Sequence, residues 1–356
     1  MTLMAVWSPD HRLHQPAGEV WIGVPIEGDE TPPRGEVMRE VVVDLGIPLV
    51  DPEPHDPRSI HAVHDPGMVS YLASAHNEWE AAGYPTEHGQ DNVIAYAFPH
   101  PDAIADVPRR WPESRAARAG VYCMDTTTAI SQGTYRAAVA AVDCSLTAAD
   151  LVLGGHGMAY AAVRPPGHHA GTTFFGGSCY LNNAAITAQY LGDRGAKVAI
   201  LDIDAHHGNG TQQIFYSRSD VLYVSIHIDP AAGWFPHFLG FADETGTGPG
   251  RGVNLNLPLA AEEGDGQLHA ALERASGAIT GHGADALVLS MGLDMATADE
   301  NSPLNVTSGG FAVAGEIIGA LGLPTVIVQE GGYDLASLRA DLTATLSRLS
   351  DFGTPS

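Results

Sequence analysis

The residues best placed to do chemistry lie in the run Leu201-Asp202-Ile203-Asp204-Ala205-His206-His207-Gly208-Asn209-Gly210. It follows Ala196-Lys197-Val198-Ala199-Ile200, a short apolar run bounded by Gly195, which reads as a buried parallel strand. Alternate residues of an extended chain share a face, so Asp202, Asp204 and His206 point the same way. Carboxylate oxygens and an imidazole nitrogen suit a zinc-like divalent ion. The carboxyl end of a strand is also where open α/β sheets place their chemistry. The bland reading is a strand end whose polar residues bond to the next loop.

Three more strand-like runs end in polar clusters. Residues 159–163 run into Arg164-Pro165-Pro166-Gly167-His168-His169-Ala170, an irregular backbone followed by two adjacent imidazoles, each needing its own partner. Residues 286–293 end at Asp294, and residues 325–329 end in Glu330-Gly331-Gly332-Tyr333-Asp334. Four such ends at one sheet edge point to an active site. Asp204, His206 and Asp294 would give an ion three protein ligands and leave a position for water. Such an ion lowers the pKa of that water and polarises a carbonyl oxygen. His168 and His169 can act as base and acid, with Asp202 and Asn209 as their orienters. Tyr333, on a Gly-Gly turn, can donate its hydroxyl to a developing oxyanion. The sum is metal-assisted hydrolysis of an amide or ester.

These residues need a sheet to carry them. A further strand over 221–227 and helical stretches over 267–279 and 311–321 alternate with the runs above, which implies an α/β fold with a mostly parallel sheet and helices on both faces. Residues 37–45 mix helical and strand signals, Asp65 and Pro66 cap a helix over 66–82, and 126–153 reads as helices. Asn182 and Asn183 lead into a helix through Tyr190. The histidines of the first 80 residues (His61, His64, His76) lack a carboxylate at ligand spacing and read as surface or core groups. Residues 84–120, broken by prolines, form one long excursion that serves as an oligomer contact or substrate rim. Gly246-Thr247-Gly248-Pro249-Gly250-Arg251-Gly252 lacks the dinucleotide-binding spacing, and a strand rather than a helix follows it; it reads as a flexible turn near the site mouth.

Composition narrows the partners. The 356 residues include 42 acidic and 17 basic side chains, net −25, with Lys197 as the one lysine. Such a surface repels nucleic acid and anionic membranes and attracts cationic small molecules. Cys123, Cys144 and Cys179 are too few and scattered for a disulfide framework or a four-cysteine zinc site. With no basic leader and no apolar run of membrane-spanning length, the expectation is a reduced, cytoplasmic, soluble protein.

The segments RPPGHHA, CYLNN, LDIDAHHGNGT and EGGYD resemble the zinc-dependent deacetylases of the arginase/deacetylase fold. The chain is most similar to the bacterial acetylpolyamine amidohydrolases and class II histone deacetylase-like amidohydrolases. The likeness runs from SPDH near residue 8, through VHDP and FPHFLGFADETG, to the carboxyl-terminal helix. It implies a single catalytic domain over 1–356, a sheet of about eight strands, and a loop insertion at about 84–120 through which two copies dimerise. It also implies that Asp204, His206 and Asp294 bind zinc or ferrous iron. His168 and His169 would be the acid/base pair with Asp202 and Asn209 as partners, and Tyr333 would polarise the acyl carbonyl. Two structural potassium sites are implied, one at Asp202, Asp204, His206, Ser225 and Ile226, the other at Phe215, Arg218 and Val221. Gly177, Ser178, Phe235 and Gly332 would border the substrate, an acylated small amine.

The arginase-like ureohydrolases are the rival within that fold, but Gly208 and Gly292 stand where a two-metal site needs carboxylates. The chain also departs from the acetylpolyamine pattern. Ala116 and Thr127 replace glutamates expected on the long loop, with Glu113 or Asp125 as substitutes, and Ser178 replaces an aromatic wall of the acyl tunnel opposite Phe235. A wider slot accommodates a bulkier acyl group. The alternatives are therefore a deacylase of a specialised-metabolite intermediate, a protein acetyl-lysine deacetylase, or a non-catalytic binder, which would lack a ligand or the tyrosine.

Overall fold

Apolar runs alternating with amphipathic stretches require a sheet covered on both faces. The computed structural model, which describes residues 3–16, 18–108 and 110–352, has that form. Its strands are Leu3–Val6 (β1), Glu19–Trp21 (β2), Val24–Ile26 (β3), Leu49–Val50 (β4), Met158–Ala161 (β5), Val198–Asp202 (β6), Val221–Ile228 (β7), Asn254–Leu259 (β8), Ala286–Met291 (β9) and Thr325–Gln329 (β10). Eight of them make one sheet in the order β4-β1-β5-β10-β9-β6-β7-β8. Every pairing in it is parallel, so the expected mostly parallel sheet is wholly so. β2 and β3 form a separate antiparallel hairpin.

The period-2 alternation of the strands divides the core in two. Ile200, Val288 and Val326 face one side and pack with Val142 and Ile186 of the helices Thr134–Leu153 and Asn183–Gly192. Leu201, Leu289 and Ile327 face the other and meet Leu272, Phe311 and Leu342 of Asp265–His282, Ser308–Gly319 and Leu335–Phe352. Each such side chain taken out of water contributes about 1.5–3 kcal/mol. β5, β10, β9 and β6 are buried along their whole length, which explains why they read as continuous apolar runs.

Several boundaries differ from expectation. The ambiguous stretch at 37–45 lies in a helix, Pro32–Asp44, whose prolines start the first turn. The cap at Asp65 is present, its carboxylate accepting from Met68 N at 3.0 Å. The excursion at 84–120 is not structureless: it holds two single-turn helices, Tyr84–His88 and Pro101–Ile104, and leads into Arg115–Tyr122. Helix Thr134–Leu153 begins eight residues later than the sequence suggests, because Asp125 Oδ1 accepts from Thr127 N at 3.1 Å and Thr128 N at 2.9 Å and holds a turn there. The glycine-rich turn also sits elsewhere. Thr247 N donates to Tyr216 O at 2.8 Å, ahead of β7, which places the turn at the amino ends of the strands and not at the site mouth. Among the described residues no helix is long and apolar enough to cross a membrane. All three cysteines are free and buried.

Candidate active site

The four polar clusters leave the four neighbouring central strands, β5, β10, β9 and β6, at one edge of the sheet. Adjacency in the sheet is what converts residues as distant in sequence as His168 and Tyr333 into one site.

Asp204, His206 and Asp294 converge. His206 Nδ1 lies 3.1 Å from Asp204 Oδ1 and 3.0 Å from Asp294 Oδ2, and the three ligand atoms all lie within 4.8 Å of one another. The carboxylates are fixed from behind: Gly331 N donates to Asp204 Oδ2 at 2.7 Å, and Ala205 N to Asp294 Oδ1 at 2.8 Å. Burial and then the neighbouring Asp204 push the Asp294 carboxyl up to about 7, while Asp204, though as deeply buried, is held low by His168 and His206. Two buried carboxylates forced together around one imidazole need a cation between them. The oxygen, oxygen, nitrogen set with one open side fits a catalytic zinc-like ion. A second bridging carboxylate is sterically excluded, since a Cβ at Gly292 would stand 2.2 Å from Asp204 Oδ2.

Beside this triad lie His168 and His169, buried, with ring centroids 4.1 Å apart. His168 Nδ1 meets Asp202 Oδ2 at 3.1 Å, and His169 Nδ1 meets Asn209 Oδ1 at 2.7 Å. Both acceptors leave an N–H on Nδ1 and direct the other ring nitrogen, Nε2, away from them. The environments push the two rings apart in basicity. Burial opposes charge on His168, but Asp204 and Asp202 outweigh it and raise its pKa to about 10. Burial, then His168 and His206, drives His169 well below the ordinary range. At neutral pH one ring is therefore charged and its neighbour is a free base.

Tyr333 follows Gly332, whose φ of +118° turns the chain out of β10 in a conformation only glycine adopts readily. Its backbone N donates to Asp299 Oδ2 at 2.6 Å, and burial raises the phenol well above its ordinary value. On the substrate side, Phe235 stands edge-on to His169 with centroids 4.8 Å apart. Gly177, at positive φ, faces it, and Ser178, also at positive φ, follows; Ser178 N donates to Thr128 Oγ1 at 3.0 Å and Gly177 N to Asp125 Oδ2 at 2.6 Å. Asp125 thus lies at this wall. The positions inferred for potassium separate into two groups. Asp202 pairs with Ser225 in register, with Ile226 next along β7, beside Asp204 and His206. Phe215, Arg218 and Val221 sit at the opposite edge, where Arg218 N donates to Phe215 O at 2.9 Å.

Sequence reasoning missed the residues that hold this site in place. Arg34, fully buried, donates from Nε to Gly332 O and from Nη2 to Glu330 O, both at 2.6 Å, and from Nη1 to Glu30 Oε1 at 2.8 Å. Its guanidinium also lies 4.7 Å from the centre of the Tyr333 ring. Arg164 is buried against the same Glu30, with Nε 2.7 Å from Oε1. Glu330 receives Gly167 N at 2.7 Å, His168 N at 3.2 Å and Ser290 Oγ at 2.7 Å, so it shapes the two-histidine turn. His64 is a satisfied core group, accepting from Asn182 N and facing Gly171 O. The available signal was Arg164 and Glu330, embedded in otherwise apolar or glycine-rich contexts; Arg34 carried none.

Comparison with known proteins bears on the family and the fold. The model of the histone deacetylase domain matches residues 30–349. The chain is 39% identical over 346 residues to an acetylpolyamine amidohydrolase of Mycoplana ramosa, covering 97% of this chain and 98% of that one. It is 40% identical over 339 residues to the acetylpolyamine amidohydrolase of Burkholderia pseudomallei strain 1710b, covering 95% and 96%. The crystal structure of the acetylpolyamine aminohydrolase from Burkholderia pseudomallei superposes with a TM-score of 0.91 at 38% identity, covering 98% of each chain. The chain belongs to the histone deacetylase domain family.

Proposed function

We propose that this protein is a metal-dependent amidohydrolase that removes an acetyl group from an acetylated polyamine or related small amine. The observation that carries the reading is the convergence of Asp204, His206 and Asp294 beside two buried imidazoles, one held by a carboxylate and the other by an amide. Asp204, His206 and Asp294 would hold zinc or ferrous iron, which when bound acidifies a water and polarises the acyl carbonyl. Asn209 keeps the proton of His169 on Nδ1, so Nε2 takes the proton of the attacking water. His168, kept charged by Asp202 and Asp204, supplies positive charge next to the reacting centre. The Tyr333 hydroxyl donates to the carbonyl oxygen as negative charge builds on it. His169 then returns its proton to the nitrogen as the C–N bond breaks, giving the free amine and acetate.

A net charge of −25 draws a cationic amine toward the protein, and Asp125 at the wall of the slot takes the place of the loop acids that Ala116 and Thr127 lack. Ser178 favours a second reading. With a hydroxymethyl group next to Gly177, which faces Phe235, the slot would have one aromatic wall, and a bulkier acyl group on a specialised-metabolite amine fits the same chemistry. Potassium at the two groups of positions above would brace β6 and β7. A cytoplasmic homodimer through 84–120 completes the proposal; Tyr96, Phe98 and Trp111 are exposed there, and a monomeric mass in sedimentation would remove it.

The test is hydrolysis of acetylputrescine, acetylspermidine, an acetyl-lysine peptide and longer acyl-amines by zinc-loaded protein. Tyr333→Phe and His169→Ala run beside it. Turnover that falls about 100-fold or more in His169→Ala supports the assignment. Undiminished turnover in that variant sinks it.

A further inference from the structure

A second group of metal-binding side chains lies behind the first. A ring nitrogen of His168, the thiol of Cys179 and a carboxylate oxygen of Glu330 all lie within 4.8 Å of one another, and all three residues are buried. None of them belongs to the Asp204, His206, Asp294 triad. The Glu330 carboxylate is met by neutral donors alone among its hydrogen bonds: Gly167 N, His168 N and Ser290 Oγ. Oε2 accepts both backbone bonds, whereas Oε1 accepts from Ser290 Oγ alone and keeps a lone pair. Asp202 and Asp204 add two more buried carboxylates around His168, at 3.1 Å from Nδ1 and 3.8 Å from Nε2. The pocket thus gathers three buried carboxylates around a single imidazole. It also offers sulfur, nitrogen and oxygen donors together, which is the ligand set of a borderline-soft divalent ion.

We propose that His168, Cys179 and Glu330 form a second, weaker site for a thiophilic divalent cation, such as cadmium or zinc in excess, whose filling switches the enzyme off. Binding forms bonds from the cation to sulfur, nitrogen and oxygen, and the two protons it displaces, one from the thiol and one from the charged His168 ring, leave to the buffer; nothing is oxidised. The site is the weaker of the two because those protons must go and because a cation at the first site repels a second one nearby. Either ring nitrogen of His168 makes the ion inhibitory. Nδ1 would have to leave Asp202, and Nε2 is the nitrogen beside Asp204 at the reacting centre. The inhibition rests on the function proposed above, whereas the binding does not.

Cadmium titration of protein already loaded with one equivalent of zinc separates the two. The triad contains no sulfur, so a thiolate-to-cadmium charge-transfer band in the ultraviolet reports the second site alone. The expected result is one further equivalent bound, the band rising with it, and the rate falling in parallel by about tenfold or more. Cys179→Ala, and Cys179→Ser as a second variant in case the first does not fold, should lose the band and the added inhibition relative to its own one-equivalent rate. Cys123→Ala and Cys144→Ala should keep both. No band, or a band that survives in the Cys179 variants or disappears with Cys123 or Cys144, overturns the proposal. Protein that shows the Cys179 band yet hydrolyses no acyl-amine at one equivalent of zinc would instead count against the proposed function.

Discussion

Replacing Gly177 with alanine should disable the site while leaving the fold in place. The added Cβ would stand 2.3 Å from His169 Cδ2 and 2.9 Å from Phe235 Cε1. Carbon atoms rest at about 3.5–4.0 Å, so the His169 ring must retreat by about 1 Å or more. It has little room, because His168 lies behind it at 4.1 Å between centroids and Asn209 holds Nδ1 at 2.7 Å. A misplacement of about 1 Å in a reacting group lowers the rate about 100-fold. Stability should fall as well, by about 2–4 kcal/mol, from the left-handed φ of +54° at residue 177 and from overpacking. The assay is kcat on an acetylated amine at equal, measured metal content, with circular dichroism to verify folding. A kcat within a factor of about three of the parent, in folded and fully loaded protein, would refute the placement of His169 against residue 177.

Three further outcomes follow from the geometry. Ser178→Tyr should restore the second wall of the slot and raise the preference for acetyl over longer acyl groups by about tenfold, which competition between acetyl- and butyryl-amines would read; an unchanged ratio rules out Ser178 as the cause of a wide slot. Asp341, buried beside Ser308, has its carboxyl pushed up to about 6 from 3.8 by burial. Its charged form is therefore the costly one in the folded state: the penalty is absent below about pH 3.8, grows as pH rises through about 6, and is full above that, so Asp341→Asn should stabilise by about 1–3 kcal/mol at pH 7.5 and by almost nothing at pH 3.5 in thermal melts. Asp294→Asn removes one of the two crowded carboxylates, so metal-free protein should melt higher than the parent at pH 8, while one equivalent of zinc should no longer raise the melting temperature; a retained response to that single equivalent excludes Asp294 as a ligand.

The sequence shows the strand ends because β5, β6, β9 and β10 are buried on both faces, and apolar runs so enclosed stand out against the polar clusters that follow. The pairing of His168 with Asp202 is legible for a related reason: Asp202 closes β6 and His168 lies on the turn that follows β5, and the parallel topology must bring both to one edge. Arg34 is not legible. The two carbonyls it clamps are 296 and 298 residues away, and nothing in the local pattern of Pro32–Asp44 separates a buried arginine from a solvated one. The same holds for the turn at 246–252, where local composition announces a turn but not which edge of the sheet it occupies. The helix expected from 126 starts at Thr134 because one side chain, that of Asp125, captures the backbone that helical periodicity would have claimed.

The Arg34 clamp has a consequence for how the molecule is made. The loop that presents Tyr333 is fastened by a helix near the opposite end of the chain, across sequence separations of 298 and 296 residues. Closing so long a loop is among the slow events of folding, since its entropy is lost before its contacts form. A nascent chain can therefore have its four central strands paired and its metal-binding side chains gathered while its tyrosine is still unplaced. Activity should appear last during refolding, after the secondary structure has returned, with its onset set by the docking of the first long helix rather than by the assembly of the sheet.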